Sequence, residues 1–209
     1  MDPIQIQQFK ARIKQQARGV QRFRLNLELS VVEELLDACY QEIVSRRRIK
    51  FQADETYKLY LRMCSRWLSA DLKPGILLYG NYGAGKTTMG KAIAELLNNL
   101  GYPMRSITAR DIANLVAIDP EAFNTLKKES KLYIDEVGRE PLVAKNYGND
   151  KNPFIEMLEF RYDKQLFTVL TANLTDEEIV DRYGHYIDER IAENFEKINY
   201  ENKSYRTGR

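Results

Sequence analysis

The sequence predicts an α/β protein: a mostly parallel five-stranded sheet flanked by helices and preceded by a short helical segment. Three observations predict it. Stretches of strand length recur at 75–79, 103–108, 131–136, 167–173 and 196–200, of which 75–79, 131–136 and 167–173 are largely apolar. Stretches with helical spacing separate them, the alternation from which parallel sheets are built. The first run leads straight into Gly80-Asn81-Tyr82-Gly83-Ala84-Gly85-Lys86-Thr87. That fits G-x-x-x-x-G-K-[ST], a loop whose backbone N–H groups surround nucleotide phosphates.

Taken in order, residues 4–27 place Ile6, Phe9, Ile13, Val20, Phe23 and Leu27 at helical spacing, with Gly19 as a break. Ser30-Val31-Val32-Glu33 reads as a capping box opening an amphipathic helix, with Val32, Leu35, Leu36, Cys39, Tyr40 and Ile43 inward. Arg46, Arg47, Arg48 and Lys50 follow its end, where cations suit the helix dipole or form a DNA-contacting patch. A second helix runs from about Asp54 to Leu68, with Trp67 packed. The domain boundary is drawn near residue 50: a basic helical arm of residues 1–50, a candidate partner-docking segment, then a mononucleotide-binding domain over 51–209.

After the strand at 75–79 and the phosphate loop, Thr88 to Leu100 forms a helix stopped by Gly101. Helices are expected at 109–117 and 121–128, and the strand 131–136 follows. Residues 139–152 lack periodicity and read as a loop. A helix over 152–163 leads to the strand 167–173. Thr175 caps a helix at 176–182, another spans 186–194, and 196–200 supplies the fifth strand. His185, the only histidine, is assigned no role.

The chemistry follows from what the strand tips carry. Gly80, Gly83 and Gly85 let the loop approach phosphates, and residues 80–88, Thr88 included, form the nucleotide-contacting run. Lys86 reaches the β- and γ-phosphates while the Thr87 hydroxyl holds Mg²⁺. Tyr133-Ile134-Asp135-Glu136 is a strand ending in two acids. Asp135 is placed to hold the same Mg²⁺, and Glu136 to orient and deprotonate the attacking water. Asn173, tipping the next strand, is placed to hydrogen-bond the γ-phosphate or that water. Arg190 has Asp188, Glu189 and Glu193 nearby as ordinary ion-pair partners.

Composition bounds the rest. The chain has 209 residues, 44% hydrophobic and 30% charged, enough for one good core. No apolar run approaches a membrane span and no signal peptide opens the chain, so a cytoplasmic protein is expected. Cys39 and Cys64 are too few for a disulfide framework. Residues 1–28 carry six cations against two acids, a local +4 that leaves the remainder at −2. Such an arm can touch nucleic acid or an acidic partner.

The order of phosphate loop, Asp-Glu strand, Asn-tipped strand and arginine-bearing helix resembles the AAA+ ATPases. The likeness is closer to the DnaC-type helicase loaders and the IstB-type transposition ATPases. It covers about 53–209 and rests on Tyr133-Ile134-Asp135-Glu136-Val137-Gly138, Leu170-Thr171-Ala172-Asn173-Leu174, Tyr183-Gly184 with Asp188-Glu189-Arg190-Ile191, and Ser204-Tyr205-Arg206. The resemblance implies that Asp135 and Glu136 are the Walker B pair, Asn173 is sensor 1 and Arg190 is an arginine finger acting on a neighbouring subunit. It implies ATP and Mg²⁺, ATP-dependent homo-oligomers, single-stranded DNA, and a replicative helicase or a transposase as partner. Lys145 and Tyr147, a cation and an aromatic, are the candidate DNA contacts. The helical lid of larger members is expected to be reduced or absent, with Arg206 as a substitute sensor. A helicase loader in DNA replication and a transposase-regulating ATPase of a mobile element both stay open, beside a nucleotide-gated adaptor. A kinase on the same core is disfavoured, since no Arg-rich lid is in view and Glu136 favours water as acceptor.

Overall fold

The computed structural model describes residues 2–16, 22–48, 51–142, 144–146 and 149–205; for 14–16, 144–146 and 149–151 it describes the backbone alone. In chain order the elements are α1 (Pro3–Gln16), α2 (Leu29–Arg46), α3 (Glu55–Ser69), β1 (Gly75–Gly80), α4 (Lys86–Asn99), β2 (Arg105–Thr108), α5 (Ala109–Ile118), α6 (Pro120–Lys127) and β3 (Lys131–Val137). There follow β4 (Ala144–Asn146), β5 (Asn149–Lys151), α7 (Pro153–Asp163), β6 (Phe167–Ala172), α8 (Asp176–Tyr183), α9 (His185–Asn194) and β7 (Phe195–Tyr200). Among these residues no helix is long and apolar enough to cross a membrane.

Five strands form one sheet in the order β2-β3-β6-β1-β7, and every pairing is parallel. Alternate side chains enter two cores, as the two-residue period of a strand requires. Ile76, Leu78, Tyr133, Val169 and Ile198 face α2, α3 and α4. Leu77, Tyr79, Leu132, Ile134, Leu170 and Phe195 face the layer built from α5 to α9. Burial on both faces explains why the three central strands, β3, β6 and β1, read as apolar runs, while the edge strands β2 and β7 are mixed.

Residues 22–48 belong to this packing. Leu25 is 2% exposed and its N–H donates to Leu68 O. Val32, Leu36, Tyr40, Ile43 and Val44 of α2 share one core with β1 and α4. Among the described residues before 50, α1 differs: Ile4, Ile6, Phe9 and Ile13 on it are exposed. The expected capping box at Ser30 is not formed. The helix starts at Leu29, with Glu28 as an extended N-cap that makes no side-chain cap bond, so Ser30 lies inside the first turn. The anchored Leu25 sets where the chain enters, and Glu28 O takes the first N–H groups, from Val31 and Val32. Asp54 and Thr175 do cap α3 and α8, and Trp67 packs with its indole N–H on Lys73 O.

Two contacts fix the layers around the sheet. Gly90 of α4 lies against Tyr133 of β3, where an added Cβ would meet the ring at 2.6 Å. On the other face Arg161 of α7, 1% exposed, donates to Phe167 O (2.7 Å), Thr168 Oγ1 (2.9 Å), Glu129 O (2.7 Å) and Lys127 O (3.2 Å). Burial lowers this guanidinium to about 9, still charged at neutral pH. Gly90→Ala is expected to lower unfolding stability by about 1–3 kcal/mol through overpacking, measured by urea denaturation.

Candidate active site

All five strand ends at the carboxyl edge lie together because the sheet is parallel, the edge at which α/β folds place their ligands. The loop after β1 is held there by its backbone. Gly80, Gly83 and Gly85 take φ of 107°, 73° and 101°. At Gly83 the positive φ is required and space is short as well: a Cβ would fall 2.1 Å from Ser204 Oγ. Lys86, 4% exposed, donates from Nζ to Gly80 O (2.9 Å) and Asn81 O (2.5 Å).

Thr87 opens α4, and its hydroxyl donates to Asp135 Oδ1 at 2.9 Å. The same oxygen accepts from Thr171 Oγ1 of β6 at 2.5 Å and from Glu136 N at 3.1 Å. Asp135 is buried (8% exposed), and among the described residues no cation pairs with it. A hydroxyl beside a carboxylate is a hard-oxygen donor set that fits Mg²⁺. No group of three or more acidic, His or Cys side chains is found among the described residues, so phosphate and water would complete the coordination.

Glu136 owes its position to an irregularity in β3. Register with β6 shifts between Ile134 and Val137, and Glu136 takes φ 59°. Strained backbone of this kind concentrates at functional sites. Its N–H also donates to Thr171 Oγ1 (3.2 Å), and its carboxylate lies 3.2 Å from Arg139 Nη1. Glu136, Arg139 and Asn173 line one cleft with residues 82–88. The cleft is open, and its empty space, bulk solvent at the mouth included, comes to about 850 Å³. Gly80 and Asn81 lie behind it, as carbonyl partners of Lys86.

The far wall was not foreseen. Tyr40, Val44, Arg47, Phe51 and Tyr205 complete the cleft. Tyr40 and Phe51 rings lie 5.2 Å apart, Phe51 and Tyr205 5.5 Å. Tyr205 N donates to Gly83 O (3.0 Å) and its hydroxyl to Asp54 Oδ1 (3.0 Å), so the segment after β7 and the one before α3 meet over the loop. Burial pushes the Tyr40 phenol up to about 12, keeping it neutral. Nothing in the local sequence marks these rings as partners, because only the fold joins them. Thr171 had a signal: a hydroxyl inside an apolar run.

Arg190 lies outside its own cleft, as a residue acting on a neighbouring subunit would. Its guanidinium lies over the rings of Tyr186 (4.2 Å) and Tyr162 (4.8 Å), contacts the Tyr186 hydroxyl, and pairs with Glu159 Oε1 at 3.5 Å. Two of the acids on its own helix are engaged otherwise: Asp188 with Lys197, Glu193 with Tyr162. The expected loop at 139–152 contains a short antiparallel hairpin, β4 with β5, whose three-residue strands are too brief to show periodicity. Lys145 sits in it opposite Asp150, with its side chain outside the description. Tyr147 and Arg206 lie outside the described residues. At the end of α2, Arg46 pairs with Glu42 and Glu95, while Arg47 turns into the cleft.

Comparisons with known proteins agree with this geometry. Residues 76–179 match the ATPase family associated with various cellular activities (AAA). The ATP-dependent zinc metalloprotease FtsH of Streptococcus pneumoniae serotype 4 is 30% identical over 125 residues, which cover 52% of this chain and 19% of the metalloprotease. The chain thus spans about a fifth of the length of the curated relatives it matches. Among solved structures, the DnaC helicase loader superposes with a TM-score of 0.58 at 16% identity, over 73% of this chain and 94% of that one. DnaI gives 0.59 at 20% identity, over 83% and 93%. AMPPCP-bound DnaA from Aquifex aeolicus gives 0.56 at 19% identity, over 74% and 50%. At such identities the likeness is one of fold. The matched segment holds both the phosphate loop and the Asp135 strand, and the fold is that of the AAA+ P-loop NTPases, with the DnaC helicase loader and DnaI among its structural likenesses.

Proposed function

We propose that the chain binds and hydrolyses ATP with Mg²⁺ and acts in DNA replication as a helicase loader, assembling as a homo-oligomer on single-stranded DNA in the cytoplasm. The observation that carries this reading is the contact of Thr87 with the buried Asp135 beside a cleft lined by Thr87, Glu136 and Asn173. Among solved likenesses, DnaA has been seen bound to AMPPCP and single-stranded DNA, and a Streptococcus pyogenes protein is described as a putative primosome component. Both support nucleotide, DNA and replication as the setting.

In this reading the backbone of residues 80–88 cradles the phosphates and Lys86 turns from the loop carbonyls to the β- and γ-oxygens. Thr87 and Asp135 hold Mg²⁺, which would neutralise charge on those oxygens. Glu136 takes the proton of the attacking water, and leaving Arg139 is what frees its carboxylate to do so. Asn173, at the tip of the strand between β1 and β3, donates to the γ-phosphate or the water. The aromatic wall of Tyr40, Phe51 and Tyr205 receives the base. Arg190, on a face away from its own cleft, serves the cleft of an adjacent copy. The β4–β5 hairpin, with Lys145 and Tyr147, meets single-stranded DNA, and α1 with its exposed apolar side chains docks the helicase.

Phosphate release and nucleotide binding by purified protein test this. Lys86→Ala is expected to abolish ATP binding. Glu136→Gln should retain binding and lose about a hundredfold or more in hydrolysis. Arg190→Ala should retain binding and lose about a thousandfold. Mixing the Glu136→Gln and Arg190→Ala proteins should restore activity, because intact catalytic sites then meet intact arginines. No recovery in the mixture would place Arg190 outside the site. Thr171→Val should weaken folding by about 1–3 kcal/mol, read from urea denaturation, because Asp135 loses a buried donor.

A further inference from the structure

Arg46 and Arg47 are neighbours at the C-terminal end of α2, yet they are held differently. Arg46 spans Glu42 at 3.1 Å and Glu95 at 2.6 Å, which is enough to account for it. Arg47 turns the other way and donates from Nη1 to Thr88 Oγ1 at 3.2 Å. It lines the cleft, and among the described residues no carboxylate lies within ion-pair distance of it. A cation at a helix C-terminus is ordinary. One directed at the first turn of the phosphate-loop helix, with no acid to pair it, has a different use.

Its place along the cleft is defined by its neighbours. The Thr87 hydroxyl faces Asp135, the metal side. Thr88 follows it, about 100° further round the helix, and its hydroxyl faces α2 instead. Beside Arg47 stand Tyr40, Val44 and Phe51, part of the wall assigned to the base. A phosphate between that wall and the metal end is the one attached to the ribose. We infer that Arg47 is a nucleotide-binding residue, a cation supplied by α2 of the same chain to the α-phosphate of the bound nucleoside di- or triphosphate. The inference rests on the nucleotide reading of the cleft and adds a ligand contact from outside the matched segment 76–179. Arginine suits the position: its planar fork presents several donors, so one can hold Thr88 while others meet phosphate oxygens. Occupancy of the cleft is then felt by α2 directly.

Calorimetric titration of ATP and ADP with Mg²⁺ into wild type, Arg47→Gln, Arg47→Lys, Arg46→Gln and Lys86→Ala tests this. Gln keeps a donor for Thr88 and removes the charge. Arg47→Gln is expected to bind ATP and ADP about tenfold more weakly, by the same factor for both, the size of one charge-assisted hydrogen bond. Arg46→Gln should bind within twofold of wild type. Affinity within twofold in Arg47→Gln overturns the inference, and so does a loss confined to ATP, which would put Arg47 at the γ end. Should Arg47→Gln fail to show a cooperative melt, Arg47→Lys decides: about threefold weaker binding of both nucleotides supports the planar contact, and unchanged binding overturns it. Wild-type protein that binds neither nucleotide would instead sink the nucleotide reading itself, an outcome distinct from a wild type that binds and an Arg47 variant that binds equally well.

Discussion

The Thr87 hydroxyl meets the Asp135 carboxylate across strands that are not neighbours. β1, which feeds the phosphate loop, and β3, which ends in Asp135, are separated by β6. The contact therefore requires β6 to end where it does and to carry a side chain that tolerates a carboxylate. Thr171 meets that requirement by donating to Asp135, and two residues later Asn173 emerges between the flanking tips. The register shift in β3 then turns Glu136 out of the ladder toward the cleft. Gly90 contributes from the other side, since its missing Cβ lets α4 approach Tyr133 closely enough for Thr87 to reach. One short hydrogen bond thus depends on the sheet order, on a bulge and on a helix–strand distance.

Much of this was legible in the sequence because the signals are contiguous. A strand buried on both faces is a short apolar run, and a phosphate loop is a run of eight letters. Asp135 and Glu136 sit at the end of such a run and read the same way. What could not be read depends on meetings between distant segments. Tyr40, Phe51 and Tyr205 each look like ordinary core or loop aromatics until the fold joins them at the cleft. The start of α2 misled for a related reason: Ser30 satisfies a local capping rule, yet Leu25, anchored on α3, sets the entry of the chain. The acids near Arg190 in sequence are candidate ion-pair partners, yet the acid it meets, Glu159, comes from α7. The β4–β5 hairpin fell below the length at which periodicity has meaning.

The role of residues 22–48 also changes once packing is known. Read by charge, the N-terminal stretch is an arm. Read by burial, α1 has that character among the described residues, for Leu25 and the inner face of α2 are core. The helix that covers α4 also delivers Tyr40, Val44 and Arg47 to the cleft. Near the other end, Asn202 reaches Ala84 O and Tyr205 reaches Gly83 O. The phosphate loop is therefore braced by segments far from it in sequence.

Arg161 joins two parts that carry different roles. Its guanidinium fastens α7 to the first residues of β6 through Phe167 O and Thr168 Oγ1. Two turns of α7 support Arg190, through Glu159 and the ring of Tyr162, while the opposite end of β6 bears Thr171 and Asn173. Close-packed interiors transmit displacement instead of absorbing it. Through this one guanidinium the arginine seat on α7 and the two cleft polar groups of β6 belong to a single hydrogen-bonded unit of helix and strand.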